Sequence, residues 1–171
     1  AMFFTAFIIK KIGKRNMLIL GAIIYGLGFA MFAFVGTSYI GIMIASGLKG
    51  VGNAGISSCM FAIVSDTIEY GEWKTGYRTE GLINSASSFG FKVGNGLGSA
   101  MLGWILALGG YAEKAVAQSA SALTAINALF IYIPVLAAVL IVAIMCFYKL
   151  DKEYDGIVTD LKEGRGVADN D

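Results

Sequence analysis

The chain has 171 residues, 57% hydrophobic and only 15% charged, with 13 Lys+Arg against 12 Asp+Glu. A soluble domain carries about a quarter charged residues, so this composition, with a mean hydropathy of +0.71, points to a membrane protein. The net charge of +1 leaves no global field for nucleic acid, and the absence of histidine removes the commonest general base and metal ligand.

The first residues, AMFFTAFIIKKIGKRN, lack the basic start and cleavage site of a signal peptide. They read as the end of a helix that begins upstream, so the sequence is expected to be a fragment of a longer protein. Four apolar blocks follow: Met17 to Val35, Ile40 to Val64, Leu82 to Leu108 and Ala122 to Phe147. Each reaches the roughly 20 residues that a membrane helix needs, and each is rich in the small residues of membrane helix interfaces. The expected fold is all-α, a polytopic transmembrane bundle over residues 1–148. The polar tail, 149–171, reads as a short helix that frays beyond it. The only proline, Pro134, lies in the last block and is expected to kink it. Cys59 and Cys146 lie singly in apolar blocks and read as small core residues rather than a disulfide or metal pair.

Basic residues set the orientation. Lys10, Lys11, Lys14 and Arg15 precede the first block, Lys74 and Arg78 lie in the central hairpin, and Lys149, Lys152, Lys162 and Arg165 lie in the tail. The two intervening connectors hold only Lys114. The positive-inside rule therefore puts the first loop, the hairpin and the C-terminus in the cytoplasm.

The third block carries the most informative pattern. Lys92 lies roughly ten residues inside it, about 15 Å deep at 1.5 Å per residue. A cation there costs on the order of 3 kcal/mol. On a helical wheel Ser85, Ser88, Asn95 and Ser99 fall within about 60° of Lys92, and Gly90, Gly94 and Gly98 fall on the opposite side. The polar stripe needs water, a ligand or polar partners, whereas the glycine ridge suits close helix packing. No acidic residue lies inside any block, so a partner for Lys92 must come from elsewhere or be a ligand. The bland alternative is a lysine that pairs only to pin the packing of a non-transporting membrane scaffold or interaction protein. The second block repeats the pattern with Ser46, Lys49, Asn53 and Ser57 on one face. Lys49 reads equally as a substrate contact or a structural residue.

Between the second and third blocks the run DTIEYGEWKTGYRTE is densely charged and reads as a loop. Its carboxylates have no nucleophile or metal-ligand cluster nearby, so enzyme chemistry is disfavoured. Ion pairs that lock two halves of a membrane protein fit better.

The string SDTIEYGEWKTGYRTEGLINS closely resembles the loop between the tenth and eleventh helices of the glycoside–pentoside–hexuronide:cation symporters. These form the melibiose-carrier family of the major facilitator superfamily. Asp66, Glu69, Tyr70, Gly71, Glu72, Trp73, Lys74, Arg78 and Glu80 all fit its pattern D-x-x-[DE]-Y-G-E-[WY]-K-x-x-x-R-x-E-[GS]. The stub IIKKIGKRN resembles the basic turn between helices eight and nine. The resemblance covers essentially the whole chain, as the end of helix eight through helix twelve plus the tail. It implies the C-terminal part of a twelve-helix transporter in the cell inner membrane. The implied activity is sugar:cation symport by alternating access, with no cofactor. It implies Lys92 at the sugar and cation sites, with Ser88 one turn earlier facing the sugar. Asn95, Asn53 and Ser57 complete the candidate substrate site, although Ser57 falls where melibiose-type members carry an aromatic. Asp66, Glu69 and Arg78 match the cytoplasmic gate. The coupling cation, Na⁺ or H⁺, would be bound mainly by an N-terminal helix bundle that this sequence does not contain.

Overall fold

A computed structural model describes residues 12–36, 38–115 and 117–164. Lys10, Lys11 and Arg165, and the frayed end expected of the tail, lie outside those residues. The described chain is helical, and the four blocks become four long helical stretches. The first is α1 (Lys14–Val35), followed by α2 (Tyr39–Thr75) and α3 (Glu80–Leu108). The fourth runs continuously as α4 (Ala120–Asn127), a π turn (Ala128–Tyr132) and α5 (Ile133–Phe147). A 3₁₀ turn (Leu150–Lys152) and a short helix α6 (Tyr154–Lys162) make the tail.

Three stretches, Lys14–Val35, Tyr39–Thr75 and Ala120–Phe147, are long and apolar enough to cross a membrane. At 29 residues α3 has the length, but Lys92, Asn95 and its serines and glycines dilute its apolar content.

Most of the charged run is helix rather than the expected loop: residues 66–75 continue the helix that begins at Tyr39, and only 76–79 connect it to the next. That helix is 37 residues long and stops at Gly76, whose φ of 72° is left-handed and whose N–H bonds the Glu72 carbonyl. Glu and Lys are good helix formers, and their density masked the continuity. At 1.5 Å per residue α2 is about 55 Å long, well beyond a hydrocarbon core of about 30 Å. We read Ile40–Val64 as its membrane part and the remainder as an extension outside.

The frame is the pair α1 and α2. Glycines let the two backbones touch: a β-carbon at Gly52 would lie 2.4 Å from Tyr25 N, and one at Gly28 would lie 2.7 Å from Lys49 N. Ala22, Ala45 and Cys59 are fully buried along this seam. Met17 and Leu18 close it against Cys59, with Ile63, Ile141 and Met145 around them. Helix α5 lies on α1 near Gly26, where Ala138 approaches closely. Cys146, expected in the core, is exposed because it sits on the outward face at the end of α5.

Pro134 acts one turn upstream of a simple kink. Its ring nitrogen cannot donate, and the turn before it widens, with Ile133 N–H reaching back to the Ala128 carbonyl. The wide turn presents Phe130 to Phe29 and Phe32, with edge-on centroid distances of 5.8 and 5.1 Å. Lys49 Nζ lies 5.2 Å from the Phe29 centroid and 5.9 Å from that of Phe130. This cation–π cluster gives Lys49 a structural role within the frame.

Helix α3 stands apart. It buries no residue, and β-carbons at Gly90, Gly94 and Gly98 would meet nothing within 4 Å. The ridge expected to pack a neighbouring helix therefore has no neighbour among the described residues.

Gly52→Val should force α1 and α2 apart and cost about 2–3 kcal/mol. Gly47→Val, at a position facing open space, should cost under about 0.5 kcal/mol. Thermal unfolding of the full-length protein in detergent checks both, and equal shifts would remove the seam from this role.

Candidate functional site

Two adjoining clefts lie along α3. One, of about 410 Å³, is lined by Asn84, Ser85, Ser88, Phe89 and Lys92. The other, of about 370 Å³, lies between α2 and α3, with Ser57, Phe61 and Val64 facing Asn84, Ser88 and Phe91. Both are within the size range of small-ligand sites. Lys92 and Ser88 thus share one cleft, and Ser57 and Ser88 share the other.

Hydrogen bonding separates the polar residues further. Ser87 and Asn95 are turned back onto their own helix, bonding the Ile83 and Phe91 carbonyls at 2.9 and 3.0 Å. Asn53 is exposed on α2 and lines neither cleft. Lys92, Ser88, Asn84 and Ser57 form no hydrogen bond or ion pair with any described residue. The sequence stripe is therefore divided. Lys92, Ser88 and Ser57 are brought to the clefts; Asn95 and Asn53 are not. Asn84, which like Ser88 lines both clefts, was missed because it falls about 80° from Lys92 on the wheel, just outside the stripe of about 60°. Its i, i+4, i+8 spacing with Ser88 and Lys92 was the available signal.

The second cluster lies at the charged end, where the first turn, the end of α2 and the tail meet. Gly13, with φ 84°, turns the chain into α1. The next two residues reach opposite elements. Lys14 Nζ is 2.6 Å from Asp66 Oδ1 and 4.0 Å from the Tyr154 ring centroid. Arg15 donates to the Met145 and Cys146 carbonyls at 2.8 Å, closing the end of α5. Asp66 is 1% exposed. Burial pushes its carboxyl above the ordinary carboxylate range, and Lys14 partly opposes that shift. Tyr154 donates to Glu69, and its phenol is pushed up by burial and then by that bond. Tyr148 is pushed up to about 12, first by burial and then by the charges of Asp66 and Asp151. Trp73 Nε1 donates to Asp160 at 3.3 Å, tying α6 to α2. Arg78 bonds Glu72 at 2.7 Å and Glu80 at 3.2 Å. The three gate candidates thus fall into two groups within this chain: Asp66 and Glu69 face the first turn and tail, with Tyr154 beside both, and Arg78 closes the exposed hairpin.

The chain matches the MFS/sugar transport protein family over residues 1–152. It is similar to the isoprimeverose transporter of Lactiplantibacillus pentosus, at 34% identity over 95% of this chain and 34% of that protein. It is similar to a putative 2,3-dihydroxypropane-1-sulfonate exporter of Escherichia coli (strain K12), at 37% over 94% and 35%. The glucuronide carrier protein homolog of the same strain is 31% identical over 93% and 35%. The chain spans about a third of the length of these curated relatives. No solved structure matches it significantly.

Lys14→Met would leave the Asp66 carboxylate buried without its cation, at an expected cost of about 3 kcal/mol. Lys14→Met with Asp66→Asn should recover most of that loss. Unfolding temperatures of both single variants and the double variant measure the coupling, and losses that simply add would mean that none exists.

Proposed function

The chain belongs to the MFS/sugar transport protein family, and from that premise we propose that it forms the C-terminal part, from the end of helix eight onward, of a sugar:cation symporter of the glycoside–pentoside–hexuronide type. In this reading the bundle rocks against an N-terminal bundle around a site near mid-membrane. The coupling cation, Na⁺ or H⁺, is bound mainly by that other half. The protein lies in the inner membrane with its charged end in the cytoplasm.

The observation that carries the reading is Lys92. It stands on an open cleft, near the middle of a membrane-length helix, with Ser88 one turn away and no partner among the described residues. A desolvated ammonium needs an anion or several oxygen acceptors, and a sugar or sugar acid supplies them. Lys92 donates to hydroxyls or to a carboxylate, and Ser88 adds a neutral hydrogen bond. Two of the relatives are named for a sulfonate and a glucuronide, which favours an anionic substrate here. The scaffold alternative needs Lys92 to hold a packing partner, and no described residue fills that role.

At the charged end, Asp66, Glu69 and Arg78 act as the inward gate. Their present pairs, with Lys14, Tyr154 and Glu72, rearrange when the cavity opens inward.

Lys92→Ala should abolish concentrative uptake by the full-length protein while leaving membrane insertion intact. Normal accumulation of a sugar panel under a Na⁺ or H⁺ gradient would overturn the assignment. Arg78→Glu should change the exchange rate at least fivefold more than it changes substrate Kd. Weakened binding with an unchanged rate would remove Arg78 from the gate.

A further inference from the structure

We propose that the charged end holds a proton-binding site at Asp66 Oδ2, and that a proton taken there from the cytoplasm holds the inward gate shut. This rests on the reading of Asp66 and Glu69 as part of that gate.

Side chains from five elements meet around Asp66. Lys14 comes from α1, Glu69 from the next turn of α2, Tyr148 from the end of α5, Asp151 from the 3₁₀ turn and Tyr154 from α6. The Arg15 guanidinium is turned away to the Met145 and Cys146 carbonyls. Among the described residues, three carboxylates therefore share one ammonium. Two of the three have other partners. Asp151 accepts the Arg15 main-chain N–H at 3.3 Å, and Glu69 accepts the Tyr154 phenol. Asp66 is 1% exposed. Its Oδ1 takes the Lys14 ammonium, but its Oδ2 is buried with no hydrogen-bond partner. The Tyr148 phenol oxygen is likewise buried and unpartnered.

An unpaired oxygen on a buried carboxylate is costly, and the surroundings decide what relieves it. A metal cation needs several oxygen ligands. The ammonium 2.6 Å from Oδ1 repels such an ion, and no acidic group among the described residues is arranged to hold one. An ordered water needs room and two to four polar partners, and it leaves the excess negative charge in place. A proton needs no room, removes the charge and makes Oδ2 a donor. Burial, which pushes this carboxyl up against the opposing pull of Lys14, favours the same neutral form.

The coupling to the gate follows from exposure. Inward opening parts these pairs and wets Asp66, whose carboxyl then returns toward about 3.9. The closed end therefore binds the proton more tightly than the open end. The stabilisation of the closed end is complete below the ordinary carboxylate value and is lost as pH rises through the raised one. Acid in the cytoplasm slows inward opening, and alkali releases it.

Two measurements on the full-length protein test this. Infrared difference spectra from about pH 8 to about pH 4 should show a buried carboxyl taking up a proton, a band that Asp66→Asn lacks. Lys14→Met, which removes the opposing cation, should move the midpoint of that band to higher pH, and Lys14→Arg should leave it near wild type. Inward opening is read in inside-out vesicles by a membrane-impermeant thiol reagent, as the labelling that Ser88→Cys adds in a Cys146→Ser background. The ratio of that rate to the rate with Asp66→Asn added should rise at least about threefold between about pH 5 and about pH 8. If no Asp66-dependent band appears, the proton site is wrong; a ratio that differs from one but ignores pH then keeps Asp66 in the gate. If the band titrates while the ratio stays at one, or the reporter is never reached, the gate reading falls and the inference with it.

Discussion

The contact on which the rest of the structure depends is the backbone approach of α1 to α2. Where Gly52 faces Tyr25 and Gly28 faces Lys49 there is no room for a side chain. Lipid offers no hydrophobic drive for two apolar helices to associate, so such close packing must supply it. The seam also fixes register. Once Gly28 abuts Lys49, the ammonium of that lysine can only turn along the seam to the rings of Phe29 and Phe130. At the other end the same register brings Lys14, at the foot of α1, over Asp66 on α2. The charged cluster is thus an outcome of glycine placement deep in the apolar part.

Helix α2 serves two purposes through different faces. Ala45, Gly52, Gly55 and Cys59 belong to the frame and are buried. Ser57, Phe61 and Val64 turn toward α3 and line open space. One helix therefore joins a dry, tightly packed side to a side with unfilled hydrogen-bonding capacity. The tail adds a third contact, because Tyr154 and Asp160 hold α6 on the extension of α2. Any movement of that extension carries the tail with it.

Patterns of local origin were legible in the sequence. Apolar length located three of the four helical stretches to within a few residues, whereas the second helix runs on to Thr75, past the Val64 at which its apolar block ends. The 3.6-residue period found the stripe that holds Lys92 and Ser88. Basic residues grouped the first turn, the hairpin and the tail, which the structure brings to one end. Features that depend on distant residues were not legible. The capture of Lys49 needs Phe130, and Phe130 is in place only because Pro134 forces a wide turn. Asn95 lies on the right face of the wheel but bonds its own helix, a choice that periodicity does not register. The extension of α2 was misread because charge density signals exposure, and exposure is compatible with helix as well as loop.

Helix α3 is fastened at its ends. Near its start, Ile83 reaches Gly71 of α2; at its finish, Ser121 bonds the Gly109 carbonyl at 2.9 Å. Between these points it buries nothing. Among the described residues, the rotation of this helix about its own axis is therefore set at its two tips, and with it the direction in which Lys92 faces.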